Sequence, residues 1–248
     1  MDLVGPRYIK GDGKFYALNV MDLYSHQVYL ESQRTKADDQ VASSLLRCWK
    51  ALGMPDFLQM DNELSFHGSN RYPRSLGVVL RLCLYYGIQP VFIPIGEPWR
   101  NGTVERFNDT YTYKFFRRQW FSSYETLKRQ SKNFQRFHNQ HHRYSCLQGK
   151  TPLEVFNRSG WQPWKLAPNT KLPQLDYIPK GNVILIRFIR SDRNLDVFGA
   201  KFIVSEDLIY SYVKAVIVTD SHAIKVFRGD ELAQTFEYRM PIEKWTET

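Results

Sequence analysis

No apolar run in this 248-residue sequence approaches the roughly 18–20 residues that a membrane-spanning helix needs, and no signal-peptide pattern opens it. The expectation is a cytoplasmic chain without a membrane partner. Cysteine is scarce. Cys48, Cys83 and Cys146 are odd in number and far apart, which argues for reduced thiols and against a disulfide framework. No Cys-x-x-Cys pair occurs, so a zinc module of that type is set aside. Internal repeats and low-complexity stretches are also missing, which removes repeat architectures.

What is present is ample material for packed cores: 43% hydrophobic and 15% aromatic residues, enough for one large domain or two modest ones. The net charge of +9 points toward a polyanionic partner. Its distribution is more informative. Between Trp99 and Lys150 eleven Lys/Arg face three acids (Glu105, Asp109 and Glu125), whereas from Lys165 onward the balance is twelve against eleven. The positive charge therefore sits on a central helical region, where it suits phosphate contacts or, more blandly, a solvated helix face.

Asp2–Ile9, Phe15–Asp22 and Gln27–Gln33 read as three strands joined by short turns, an antiparallel meander. Ala37–Leu52 carries Val41, Leu45, Leu46 and Trp49 at helical spacing and stops at Gly53. A short strand, Phe57–Met60, ends at Asp61; a helix over Leu76–Tyr86 and a strand over Gln89–Pro94 follow. Three antiparallel strands followed by alternating helix and strand give an α/β class with a mixed five-stranded sheet and flanking helices. A helix is expected over about Thr103–Phe116, another opened by a capping box at Ser122–Glu125, and a short one opened by a second box at Thr151–Glu154. Four prolines between Trp161 and Pro179 mark a linker. Val183–Ile189, Phe198–Val204, Tyr210–Val218 and Ala223–Phe227 read as strands of a small all-β, barrel-like C-terminal domain. The expected division is residues 1–160, a linker over 161–180, and 181–248.

The stretch Pro94-Ile-Gly-Glu-Pro-Trp-Arg-Asn-Gly-Thr-Val-Glu-Arg-Phe-Asn108 is a strand end, a Gly/Pro-punctuated loop and a helix start, with Asn101 at the N-cap position. Together with Met1-Asp2-Leu, Met60-Asp-Asn62, Gly87-Ile88 and Leu147-Gln-Gly-Lys-Thr-Pro-Leu-Glu154, it resembles the catalytic core of retroviral integrases and acid-triad transposases. The likeness is closest to integrase-type transposases of bacterial insertion sequences. It covers most of the first 160 residues and implies a ribonuclease H-like core. Asp2, Asp61 and Glu105 would then be catalytic and hold two Mg²⁺ (or Mn²⁺) ions, because hard cations take carboxylate oxygens.

Two acids compete for the third position. Thirty-five residues separate Asp61 from Glu97, the spacing typical of the resembled family, against forty-three to Glu105. Glu97 precedes Pro98, which pushes it out of helical geometry and onto a loop, a poor place for a preorganised ligand. Glu105 matches the family's helix motif, and the eight extra residues fit an insertion in the turn-rich Gly68–Leu76. Glu105 is taken. Asp22, a rival to Asp2, is read as capping the turn at Ser25. Asn108, one turn beyond Glu105, is expected to orient a carboxylate or contact phosphate, and Asn62 to position Asp61 or DNA. Arg100, Arg106, Lys114, Arg117 and Arg118 complete the expected DNA-binding set. His138, His141 and His142 have metal-compatible spacing but no fourth ligand. Trp99, Trp120 and Trp161 suit either base stacking or a core, and Arg187, Arg190 and Arg193 suggest a backbone-contacting face.

The resemblance implies metal-dependent DNA cleavage at an element end, then attack of the freed 3′-hydroxyl on target DNA. Transposon ends and target DNA would be partners, a homo-oligomer would form on DNA, and no nucleotide cofactor is needed. The chain begins one residue before Asp2, so a fragment lacking the N-terminal DNA-binding region is expected. A plain ribonuclease H-like nuclease and a non-catalytic DNA-binding fragment or inhibitor are the alternatives.

Overall fold

A computed structural model describes residues 1–69 and 74–241, and the chain divides into two compact units. One comprises Met1–Met54 with Asn101–Thr170; the other comprises Pro55–Arg100 with the chain from Lys171 onward. The expected insertion over Gly68–Leu76 lies partly outside the described residues, as does the end of the expected C-terminal domain. No helix among the described residues is long and apolar enough to cross a membrane.

In the first unit, β1 (Asp2–Ile9), β2 (Gly13–Met21) and β3 (Val28–Gln33) form the antiparallel meander in the order β1-β2-β3. Asp22 closes the β2–β3 turn, its Oδ1 accepting from the Ser25 backbone N–H at 2.7 Å, as the sequence suggests. α1 (Asp38–Leu52) buries Val41, Leu45, Leu46 and Trp49 and ends where Gly53 adopts φ 99°. α4 (Gly102–Thr110) starts where expected but does not run on to Phe116. It loosens into a π-turn over Tyr111–Phe115 and a 3-10 turn over Phe116–Arg118. Tyr111 and Phe115, four residues apart, share the buried side of the π-turn and join a core with Phe15, Leu30, Phe107 and Leu127.

α5 (Tyr124–His141) is capped by Ser123, which accepts from the Thr126 N–H, so the cap falls one residue later than expected and the box at Ser122–Glu125 does not form. α6 (Pro152–Arg158) has the full capping box of Thr151 and Glu154. β3 is an edge strand, yet every residue of it is buried because α5 lies along it. Side chains of α5 satisfy the strand's open backbone. Asn139 both donates to and accepts from Val28 at 2.9 Å, Gln135 accepts from Leu30 N–H, Lys132 donates to the Leu30 carbonyl, and the Tyr124 hydroxyl donates to Ser32. This covers an edge that would otherwise template aggregation. Beneath it the buried Glu31 carboxylate meets Lys132 at 3.0 Å, Arg47 at 3.3 Å and the Tyr29 hydroxyl. Burial pushes the Glu31 carboxyl up, but these partners outweigh burial and leave it below its ordinary value.

In the second unit, β4 (Phe57–Met60) and β5 (Gln89–Phe92) are parallel, with α2 (Leu64–His67) and α3 (Val78–Tyr85) between them in sequence. All five expected core strands are therefore present, but they are shared between two sheets. β6 (Asn182–Phe188) lies parallel beside β5, and β9 (Tyr212–Val218), β10 (Ala223–Arg228) and β11 (Glu231–Glu237) continue one six-stranded mixed sheet. The C-terminal strands thus extend a sheet rather than closing a separate barrel. β6 can do so because Val183 and Leu185 bury one face at period two. The expected strand Phe198–Val204 is instead a hairpin, β7 (Asn194–Val197) and β8 (Ala200–Ile203). Phe198 and Gly199 both take positive φ there, the geometry of a two-residue primed turn.

Candidate active site

Asn101 occupies the N-cap position of α4, but its side chain does not cap the helix. Its amide donates to the Met1 carbonyl at 3.0 Å instead, fastening the start of α4 to the start of β1. One consequence reaches Asp2. Asn108 on α4 donates a hydrogen bond to Asp2 Oδ2, while Asp2 Oδ1 accepts from the Leu3 N–H at 2.7 Å. Asn19, directly opposite Asp2 on β2, donates to Asn108 Oδ1 at 2.6 Å. A relay Asn19–Asn108–Asp2 therefore fixes the rotamer of the carboxylate, and Glu105 is half-buried one helical turn before Asn108. Both ends of the Asn108 amide are thus engaged, one by the Asp2 carboxylate and the other by Asn19. Asn19, a fully buried amide within the apolar run Phe15–Met21, escaped the sequence reading because only the groups facing it give it a role.

Asp61 and Asn62 lie in the other unit. Asp61 sits just past β4, and its Oδ1 accepts from the Glu63 N–H at 3.1 Å. The Asn62 amide is used at both ends: Nδ2 donates to the Ile93 carbonyl, and Oδ1 accepts from Arg187 Nη2, both at 2.9 Å. It braces the end of β5 rather than standing open to a ligand. Arg187 is not a surface arginine as the sequence reading had it. It is 4% exposed, and it also donates to the Asp196 and Ile93 carbonyls. Burial lowers its pKa to about 10. The alternation Val183, Leu185, Arg187 was the overlooked clue, since period two puts all three on one face.

Glu97 is committed elsewhere. Its carboxylate accepts from Arg100 Nε at 2.6 Å and from the Tyr212 hydroxyl at 2.7 Å, and these bonds hold its pKa below the ordinary value. The Arg100 guanidinium also lies over the Tyr212 ring at 4.5 Å, and Gln59 donates to the Arg100 carbonyl. Arg100 is thus a structural partner first. Arg106, Lys114, Arg117 and Arg118 are exposed along and beyond α4, with Arg117 over the Tyr113 ring at 4.7 Å.

His138 and His141 lie on α5, and His142 follows at its C-terminal cap. His138 is 1% exposed, bonded to the Tyr144 hydroxyl and stacked on His142; burial, then the neighbouring His142, pushes its pKa down to about 3. Trp99, Trp120 and Trp161 are all exposed rather than core. Among the described residues no group of three His, Cys, Asp or Glu side chains stands together to hold a metal ion.

Residues 86–152, which carry α4 and its flanks, match the family model "Integrase core domain". The chain matches no curated protein. Among solved structures it is similar to the intasome of simian T-cell lymphotropic virus in complex with a PP2A regulatory subunit. That likeness has a TM-score of 0.50 at 15% identity and covers 96% of this chain and 76% of the other. The catalytic core of HTLV-2 integrase in complex with magnesium aligns at TM-score 0.45 and 18% identity, over 62% of this chain and 94% of that one. The catalytic core of BIV integrase aligns at 0.44 and 18%, over 64% and 93%. The fold is the ribonuclease H-like α/β fold of integrases, with a mixed sheet and flanking helices.

Proposed function

We propose that this chain is the catalytic part of a DDE transposase from a bacterial insertion sequence, a polynucleotidyl transferase that cleaves DNA and joins its ends. The observation that carries the reading is the relay that holds Asp2 from α4, the helix that presents Glu105, inside the segment matching an integrase core. Asp2, Asp61 and Glu105 are the catalytic carboxylates. Their hard oxygen donors suit two Mg²⁺ or Mn²⁺ ions, which when bound supply activation of the attacking oxygen and stabilisation of the leaving one. Asn108 keeps the Asp2 carboxylate in one orientation, so less reorganisation is needed at the moment of reaction. Arg106, Lys114, Arg117 and Arg118 bind the phosphates of transposon ends and target DNA. Their contribution falls with added salt. The protein acts as a homo-oligomer on DNA, without a nucleotide cofactor, in the cytoplasm.

The test is a plasmid nicking and joining assay in Mn²⁺ with the wild-type chain and Asp61→Asn. Joined product that disappears in Asp61→Asn supports a transposase. Nicking without joining would identify a plain nuclease. DNA binding indifferent to metal and to Asp61, with no product, would identify a non-catalytic binding fragment.

A further inference from the structure

The loop between β5 and α4 builds a second feature within the unit that holds Glu97. The Glu97–Arg100–Tyr212 clasp ties this loop to β9, and the 3-10 turn Pro98–Asn101 holds Trp99 outward at 66% exposure. Trp99 and Ile95 form one wall of a groove of about 500 Å³. Phe188, Arg190, Asp192 and Asp196 are among the residues that line the rest, with Glu97 and the buried Arg187. That volume lies within the roughly 300–1,000 Å³ of small-ligand clefts. Phe188 is itself partly exposed and packs against the Tyr212 ring at 5.0 Å, so the aromatic wall is backed by the clasp.

The lining groups differ in whether they are already engaged. Asp192 accepts two hydrogen bonds from Asn194, and Asp196 accepts from the Gly199 N–H, so both acids serve the β7–β8 hairpin. Arg100 neutralises Glu97. Among the described residues, Arg190 has no ion pair and Trp99 has no ring partner. A large exposed indole face and an uncommitted guanidinium in one groove match the two halves of a nucleotide, a flat base and a phosphate.

We infer that this groove binds an unpaired nucleotide of a DNA strand, with its base stacked on Trp99 and its phosphate at Arg190. A paired base has its faces covered by its neighbours, so the groove selects single-stranded over duplex DNA. The assignment of the ligand to the enzyme's own DNA rests on the transposase reading. The binding itself does not.

The probe is a short single-stranded oligonucleotide carrying 2-aminopurine, with the same sequence as a duplex for comparison, titrated into the full chain. Binding quenches the fluorescence of the single strand. Trp99→Ala weakens single-strand binding by roughly fivefold to a hundredfold, the range for loss of one base–aromatic stack, and abolishes the quench, whereas Trp99→Phe retains it. Arg190→Gln lowers the salt dependence of binding by about 0.7 in log–log slope, the value for one phosphate on a single strand. Because Trp99 is exposed, these variants fold as the wild type does, which circular dichroism checks. Absence of single-strand binding by the wild-type chain, unchanged binding by Trp99→Ala, or equal losses on duplex and single strand would each overturn the proposal. Failure of plasmid joining with Trp99-dependent quenching intact would count against the transposase reading and leave the groove standing.

Discussion

Replacing Asn139 by leucine removes two hydrogen bonds from one residue of an edge strand. Asn139 Oδ1 accepts from the Val28 N–H and its Nδ2 donates to the Val28 carbonyl, both at 2.9 Å, and Val28 is fully buried. Each bond contributes about 0.5–1.5 kcal/mol net, and each backbone group left unpaired beneath a leucine costs about 1–3 kcal/mol of desolvation. Water can reach part of this site because Asn139 is only half-buried, so the sum is set at about 2–4 kcal/mol. Asn139→Ala admits water more readily and falls at the lower end. Urea unfolding gives the stability change, and amide hydrogen exchange at Val28 reports whether the loss is local to β3. A change below about 0.5 kcal/mol for Asn139→Leu, with Val28 still protected, would show that α5 does not seal this edge.

Three further outcomes follow from particular contacts. Asn108→Leu breaks the relay to Asp2 and should lower joining activity about 10–100-fold, the usual cost of losing a group that orients a ligand, while DNA affinity stays within twofold or so. His138 is held neutral in the fold, with a pKa of about 3 against 6.5 when unfolded. The unfolded chain therefore binds the extra proton first. Stability from this group is complete above pH 6.5 and falls by about 1.4 kcal/mol per pH unit below it, so unfolding of His138→Gln should show a flatter acid limb than wild type. Gly53→Ala places a Cβ 2.2 Å from Pro163 Cβ at φ 99°, and calorimetry should show a lowered melting temperature corresponding to at least about 1–3 kcal/mol.

Local patterns were legible in the sequence, and long-range ones were not. The β1–β2–β3 meander, the Gly53 stop and the Thr151 capping box depend on neighbours a few residues apart. The pairing of β5 with β6 joins Phe92 to Leu185 across the chain, and no local pattern encodes it. β11 was missed because its residues are largely exposed and polar, and β7 because it is four residues long and carries Asn and Asp. Glu31, Ser32 and Gln33 look like a solvent-facing strand end, yet all are buried: α5 supplies partners to Glu31 and Ser32 from about a hundred residues away, and Ser44 on α1 donates to Gln33. At the candidate site, the resemblance points to Asp2 and Asn108, and a hydrogen bond joins the two. The Asn19 relay was not legible, since an amide within a strand gains a role only from what faces it. Spacing cannot show that Glu97, with thirty-five residues between it and Asp61, accepts from Arg100 and Tyr212; those partners are set by the fold.

The most direct test of the catalytic assignment is Mn²⁺-dependent plasmid joining by Glu105→Gln and Glu97→Gln beside the wild-type chain. The account predicts that Glu105→Gln loses joined product by several orders of magnitude while still binding DNA. Glu97→Gln, which keeps a hydrogen-bonding side chain at the clasp, should retain most of its activity. The reverse pattern, with Glu105→Gln active and Glu97→Gln dead, would contradict the triad of Asp2, Asp61 and Glu105.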